Sequence, residues 1–302
     1  MSELIYAAIE AGGTKFMCAL GDAQGRLEQR VRIETRDPSG TLAEVCDWLD
    51  AALSARGVPS LGAIGVASFG PVELDRSSAR HGRLLRTPKP GWSDADLLAP
   101  LGRFGVPLAL DTDVNAAALA ECRWGAAAGM DHLAYVTVGT GIGVGAVVAG
   151  QPLHGLLHPE LGHLRPQRHR LDRFEGVCPY HGDCFEGLAS GTAVAARRSR
   201  SGEALADDVL ATIQADYLGQ LCASIVLALS PQRIVMGGGV MQQHCLFAPL
   251  RARLQHWLGG YIDRSQLQQR VEHYVVPPAL GADSGVLGGL LLALGAGPSV
   301  LP

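Results

Sequence analysis

The chain has 302 residues, 47% of them hydrophobic and 18% charged, with a formal net charge of −4. This length allows two domains or one large α/β domain, and the composition is that of a globular protein rather than a disordered one. The slight acidity argues against nucleic acid as a partner, so basic clusters such as Arg165–Arg173 and Arg197-Arg198 read as local solvated patches.

Met1-Ser2-Glu3 leads straight into an apolar run, with neither a basic segment nor a small-residue cleavage site. No signal peptide is expected there. The cysteines, seven in number and scattered apart from Cys178 and Cys184, fit a reducing compartment, and the expected location is cytoplasmic. Ile5 to Ile9 reads as a strand, Glu10 to Lys15 as a glycine turn, and Phe16 to Leu20 as a returning strand. A helix is predicted over Leu42 to Arg56 and a strand over Ala63 to Ala67. Pro88, Pro90 and Gly91 mark a loop, Leu108 to Leu110 a strand, and Val114 to Trp124 an alanine-rich helix. The hairpin pattern then recurs as Leu133 to Val138, Gly139-Thr140-Gly141-Ile142-Gly143, and Val144 to Val148. Two such hairpins suggest a duplication in which each of two lobes opens with a hairpin, although glycine hairpins also recur by coincidence.

His154 to Gly191 is rich in Gly, His and Pro and carries no helix or strand pattern. So long an irregular stretch is usually functional, or held by something other than a core. Helices are predicted over Leu205 to Leu229 and Leu246 to Leu258, with a strand at Arg233 to Met236 between them. A last helix follows the cap-like Asp283. Its apolar stretch, Gly285 to Gly297, is shorter than the roughly 18 residues a membrane span needs, so it reads as a buried helix and no membrane is expected. The alternation of strands and helices gives an α/β class.

Glycine turns let backbone N–H groups approach phosphates closely. Three occur: Gly12-Gly13-Thr14-Lys15, Gly139-Thr140-Gly141, and Gly237-Gly238-Gly239. None has the spacing of a Walker A or Rossmann sequence, and one alone would be an ordinary tight turn. Asp111-Thr112-Asp113 ends a strand just before a helix, where a carboxylate faces the crevice of an α/β protein and can act as a general base. Either aspartate could equally be a helix cap. His163, Cys178, His181 and Cys184 offer two imidazoles and two thiolates, a donor set that suits tetrahedral zinc. A Cys178–Cys184 disulfide is the rival, and His154, His158 and His169 are alternative ligands.

These residues together resemble the ROK family of bacterial sugar kinases, named for repressors, open reading frames and kinases. Glu10-Ala11-Gly12-Gly13-Thr14-Lys15 is similar to its first phosphate motif, Val138 to Gly145 to its second, and Met236 to Val240 to its adenosine turn. The family more often has Asp where Glu10 stands. Asp111-Thr112-Asp113-Val114-Asn115 resembles the Asn-Asp-x-Asn stretch that holds the catalytic base, which assigns that role to Asp113. Thr112 stands where an Asn usually contacts the sugar. Glu160-Leu161-Gly162-His163 and Cys184-Phe185-Glu186 resemble the sugar-binding segments, and His163 is shared with zinc. His181 replaces one of the family's usual cysteines. That variant, with Thr87 to Trp92, His158-Pro159-Glu160 and Glu186 to Gly191, resembles the fructokinase branch.

The resemblance implies an α/β, two-lobed, actin-like ATPase (ribonuclease H-like) fold with an inserted zinc-binding loop. An N-terminal lobe over 1–112 would be completed by a C-terminal helix over 285–302, and a second lobe would cover 113–284 with the zinc and sugar loop at 154–191. It also implies ATP, Mg2+ and a structural Zn2+, with Glu10 helping to hold the magnesium through water. Fructose would be phosphorylated at its primary hydroxyl by a homodimer, with Thr112, Glu160, His163 and Glu186 on the sugar. A glucokinase or mannokinase would share nearly every motif; a binding-only sensor would be expected to lack Asp113 or a phosphate turn.

Overall fold

The computed structural model describes residues 4–57, 61–200 and 207–297. The chain divides into two compact units. One comprises the residues up to Ala120, His154–His158 and the chain from Ala282 onward; the other comprises Glu121–Leu153 and Pro159–Gly281. The irregular segment predicted from 154 onward is therefore shared between them.

In the first unit, β1 (Ile5–Ala11) and β2 (Lys15–Gly21) form the expected antiparallel hairpin, and β3 (Leu27–Glu34) extends it at the edge. β4 (Leu61–Ser68) and β5 (Leu108–Thr112) run parallel to β1 on its other side, giving the order β3-β2-β1-β4-β5. β1 and β4 are buried almost throughout, as their unbroken apolar runs require. Helix α1 (Pro38–Arg56) begins before the predicted Leu42 because Asp37 caps it: its carboxylate accepts the Gly40 N–H at 2.8 Å, and Pro38 takes the first turn. Its buried stripe, Leu42, Val45, Cys46 and Leu49, has the helical spacing that faces a core.

β5 passes directly into α2 (Asp113–Trp124). The C-terminal helix, Ser284–Ala296, packs on β1, β4 and β5, and the last predicted residues, 298–302, lie outside the described residues. That packing is so close that a Cβ at Gly65 would lie 2.0 Å from the Gly289 carbonyl oxygen, so only glycine fits. Asp283 precedes this helix without capping it through its side chain; its carboxylate instead takes the Arg30 guanidinium at 2.9 Å.

The second unit repeats the plan. β6 (Leu133–Val138) and β7 (Ile142–Val148) form the hairpin, and β8 (Gln151–Pro152) adds the edge. Short helix α3 (Phe185–Ala189), α4 (Gly191–Arg200) and α5 (Asp207–Leu229) follow; the predicted start of α5 at Leu205 lies outside the described residues. β9 (Arg233–Gly237), α6 (Phe247–Leu258) and β10 (Val275–Val276) complete it, in the sheet order β10-β9-β6-β7-β8. Each sheet thus has two antiparallel strands on one side of its first strand and two parallel strands on the other. This duplicated connectivity is that of the actin-like ATPase fold. Among the described residues one helix, Asp208–Leu229, is long and apolar enough to cross a bilayer; 72% of its most apolar window is buried inside the protein, as in a core helix.

Candidate active site and metal centre

The parallel strands of the first sheet end in one row. Ala11 pairs with Ser68, and Ser68 with Thr112, so the Gly12 turn and Asp113 leave the same carboxyl edge. Ligands bind at such an edge in α/β sheets. In the turn, the Gly12 N–H bonds the Lys15 carbonyl at 3.0 Å, while Thr14 and Lys15 are exposed. Thr35, which the sequence reading passed over, supports the turn from behind. Its hydroxyl donates to the Gly12 carbonyl at 2.7 Å and its N–H to the Thr14 carbonyl at 3.0 Å. Two of the turn's carbonyls are thereby held toward Thr35. No sequence signal marks this residue beyond its place just ahead of the α1 cap. Glu10 packs over the first turn of the C-terminal helix, where a Cβ at Gly285 would meet its carboxylate at 2.3 Å. Burial pushes its carboxyl up to about 6, against the opposing pull of Lys15.

The structure separates the two aspartates. Asp111 is buried: one oxygen accepts the Thr112 N–H at 2.7 Å and the Asn115 amide at 2.8 Å, and the other lies 3.0 Å from His154 Nε2. Asp113 is half-buried as the first residue of α2. Capping falls to Thr112, whose buried hydroxyl accepts the Asn115 N–H at 3.1 Å. The acceptor side of that hydroxyl is thus engaged in the cap.

In the second unit the Gly139-Thr140-Gly141 turn meets Glu186, one of the residues predicted to bind the sugar. Glu186 accepts the Ile142 N–H at 3.0 Å, and a Cβ at Gly141 would strike its carboxylate at 2.5 Å. Helix α4 opens against the same turn, with the Gly191 N–H on the Gly139 carbonyl at 2.7 Å and the Thr192 hydroxyl on the Thr140 carbonyl at 2.8 Å. Gly237 ends β9 opposite Thr137 of β6, which brings the Gly237-Gly238-Gly239 turn to the edge that carries Gly139. Gly238 has φ of +91°, and a Cβ there would lie 2.5 Å from the Val138 carbonyl oxygen. Burial, with Glu186 as a like-charged neighbour, pushes Glu160 up to about 7.

The four predicted metal ligands converge. His163 Nδ1 stands 3.7 Å from Cys178 Sγ and 3.5 Å from Cys184 Sγ, and Cys178 Sγ stands 3.6 Å from His181 Nδ1. All four donor atoms lie within 4.8 Å of one another. Zinc bonds of about 2.0–2.3 Å in a tetrahedron place neighbouring donors about 3.3–3.8 Å apart, so the residues fit the ion. Both thiols are free rather than bridged. Burial pushes the Cys184 thiol up to about 12, a cost that a bound cation reverses. None of the alternative histidines belongs to the cluster: His154 is on Asp111, His158 on the Val72 N–H and His169 on the Leu171 N–H.

Comparison with known proteins places the chain in a family. The sequence profile of the ROK family matches residues 6–296. The chain is 43% identical over 300 residues to the fructokinase of Zymomonas mobilis, covering 97% of each. It is 28% identical over 330 residues to a glucokinase of Halalkalibacterium halodurans, covering 96% of this chain and 94% of that one. Among solved structures it is similar to a ROK hexokinase from Thermus thermophilus, with a TM-score of 0.75, 29% identity, and coverage of 96% of this chain and 98% of that one.

Proposed function

Because the chain belongs to the ROK family, we propose that it is an ATP-dependent hexose kinase that converts D-fructose to fructose 6-phosphate. One observation carries the chemistry: the row Ala11, Ser68, Thr112 brings a phosphate-type turn and the carboxylate of Asp113 to a single sheet edge. The identity of 43% to a fructokinase, against 28% to a glucokinase, favours fructose.

In this reading the Gly12 and Gly139 turns offer N–H donors to the phosphates of ATP, and the Gly237 to Gly239 turn takes the adenosine. Glu160, His163 and Glu186 hold the sugar hydroxyls, with Thr112 at the margin. Asp113 accepts the proton of the primary hydroxyl as that oxygen bonds the γ-phosphorus and the bond to the ADP oxygen breaks. Mg2+ on the nucleotide, with Glu10 beside it, would neutralise charge on the phosphates. Zn2+ on His163, Cys178, His181 and Cys184 would fix the loop that bears Glu160 and Glu186. The free thiols fit a cytoplasmic enzyme, and the family resemblance points to a homodimer, which light scattering checks.

The test is ADP release with MgATP over fructose, glucose, mannose, N-acetylmannosamine and no sugar. Turnover selective for fructose is expected. Preference for glucose would overturn the substrate while leaving the kinase, and no sugar-dependent turnover in metal-loaded protein would overturn the kinase.

A further inference from the structure

His154 and Asp111 are both left over from the chemistry assigned above, and the structure joins them. The imidazole Nε2 lies 3.0 and 3.2 Å from the two oxygens of the buried Asp111 carboxylate, and 3.4 Å from the Asn115 amide. Asn115 also donates to Asp111 at 2.8 Å, so the carboxylate, the amide and the ring form one knot on β5 and the first turn of α2. Asp113 lies between Asp111 and Asn115 in the chain. Four residues beyond His154, the buried His158 accepts the Val72 N–H at 3.3 Å, and its ring packs on Gly70, just past the end of β4. Between these fastenings Leu156 is fully exposed.

The segment His154–His158 is therefore a strap fixed at two points, one on the β5–α2 junction and one beyond β4. Short polar fastenings of this kind fix a loop that has no apolar side chain buried beneath it. From His158 the chain passes without a break through Pro159 to Glu160 and His163, the first sugar and metal residues. We propose that His154, held by Asp111, is a positioning residue for the phosphotransfer: it fixes, on the β5–α2 junction that carries Asp113, the strap from which the chain enters the sugar-binding segment. The inference rests on the kinase reading for its kinetic consequence, but not for its structural one.

The hydrogen bond to Asp111 favours the protonated ring, which donates to the carboxylate. Asn115, on the first turn of α2, is the other side chain at hydrogen-bond distance from the ring, and it is neutral. The fastening should accordingly weaken as pH rises through the raised value for His154.

The experiment compares wild type, His154→Ala, His154→Gln and Asp111→Asn. A misplacement of about 1 Å can cost about a hundredfold, so His154→Ala should raise the KM for fructose by about tenfold and up to about that factor. The KM for ATP should stay within about twofold, because the phosphate turns are untouched. His154→Gln, whose amide can still donate to Asp111, should recover part of the loss. In wild type kcat/KM for fructose should carry an alkaline limb that Asp111→Asn shifts to lower pH. A fructose KM within about twofold of wild type in His154→Ala would overturn the proposal. Equal losses toward both substrates, with a lower Tm and no rescue by Gln, would also overturn it, since that is the mark of a purely structural residue.

Amide exchange without any substrate tests the strap separately from the kinase. Residues 154–163 should exchange faster in His154→Ala and regain protection in His154→Gln. If wild type turns over no sugar but this pattern holds, the kinase reading fails and the strap stands. Unchanged exchange overturns the strap whatever the activity.

Discussion

The two sheets share one connectivity, yet they deliver their carboxylates in opposite ways. In the first unit Asp113 is carried by regular structure: a mostly buried strand, paired in register with β4, ends one residue before it and a capped helix begins with it. In the second unit Glu160 and Glu186 sit at the two ends of a stretch with almost no regular structure. That stretch is held by other means. His163, Cys178, His181 and Cys184 gather one part. A buried knot ties down another, and it overturns the reading of Arg197 as part of a solvated patch: Arg197 meets Asp172 at 2.6 Å, Tyr217 donates to the same oxygen at 2.7 Å, and the guanidinium stacks over Phe174. A duplicated scaffold supplies two glycine turns by inheritance, whereas the loop that bears Glu160 and Glu186 has to be built from local chemistry.

The contrast breaks most sharply at the base. Asp113→Asn should lower kcat by about 10²–10⁴ while fructose still binds, since the amide keeps the shape and loses the proton acceptor. Calorimetric titration of sugar beside the turnover assay checks both halves; a variant that keeps more than about a tenth of the rate removes Asp113 from the role. Next comes the knot. Asp172→Ala leaves the buried Arg197 without its partner and should cost about 3–5 kcal/mol, read from urea unfolding. A cost below about 1 kcal/mol would mean that the loop does not depend on it.

Much of this layout was legible in the sequence, for local reasons. Both hairpins, α2 and the metal quartet are written in short-range spacing, and the Cys178-x-x-His181-x-x-Cys184 run needs only one loop to close round an ion. What escaped depends on partners far apart in the chain. β3 alternates charged and apolar residues on an exposed edge, and it pairs because β2 is there to receive it. β8 and β10 are two-residue strands that exist only as additions to their sheets. Asp283 looks like a helix cap, but Arg30, 253 residues away in the chain, takes its carboxylate. The link between Asp111 and His154 spans 43 residues and leaves no mark in composition or spacing.

Removing an ion held by His163, Cys178, His181 and Cys184 would sharpen the same comparison from the loop side. Chelation, or Cys178→Ser, should free the loop and weaken fructose binding by about tenfold to a hundredfold, with nucleotide binding far less affected. Metal content by mass spectrometry and paired titrations of fructose and ADP decide it. Equal weakening of both ligands would show that the ion supports the whole second unit rather than its loop.

The smallest effect concerns Glu10, a half-buried carboxylate near the end of β1, just ahead of the Gly12 turn. Its carboxyl lies near 6 in the folded protein, against an ordinary value of 4.5. A carboxyl raised by folding binds its proton more tightly in the native state than in the unfolded chain. Stability from this group is therefore greatest below pH 4.5, falls as pH rises from 4.5 to 6, and stays at its lower level above that. The penalty at pH 7 is at most about 2 kcal/mol. Glu10→Gln removes the titration, so it should stabilise the nucleotide-free protein at pH 7 by up to that amount and confer no such gain at pH 4.5. The same change should impair turnover by withdrawing a charge that offsets the magnesium. Urea midpoints at the two pH values, set beside kcat, test both arms. Stabilisation equal at pH 4.5 and 7 would show that packing against Gly285, rather than the desolvated charge of Glu10, is what the substitution relieves.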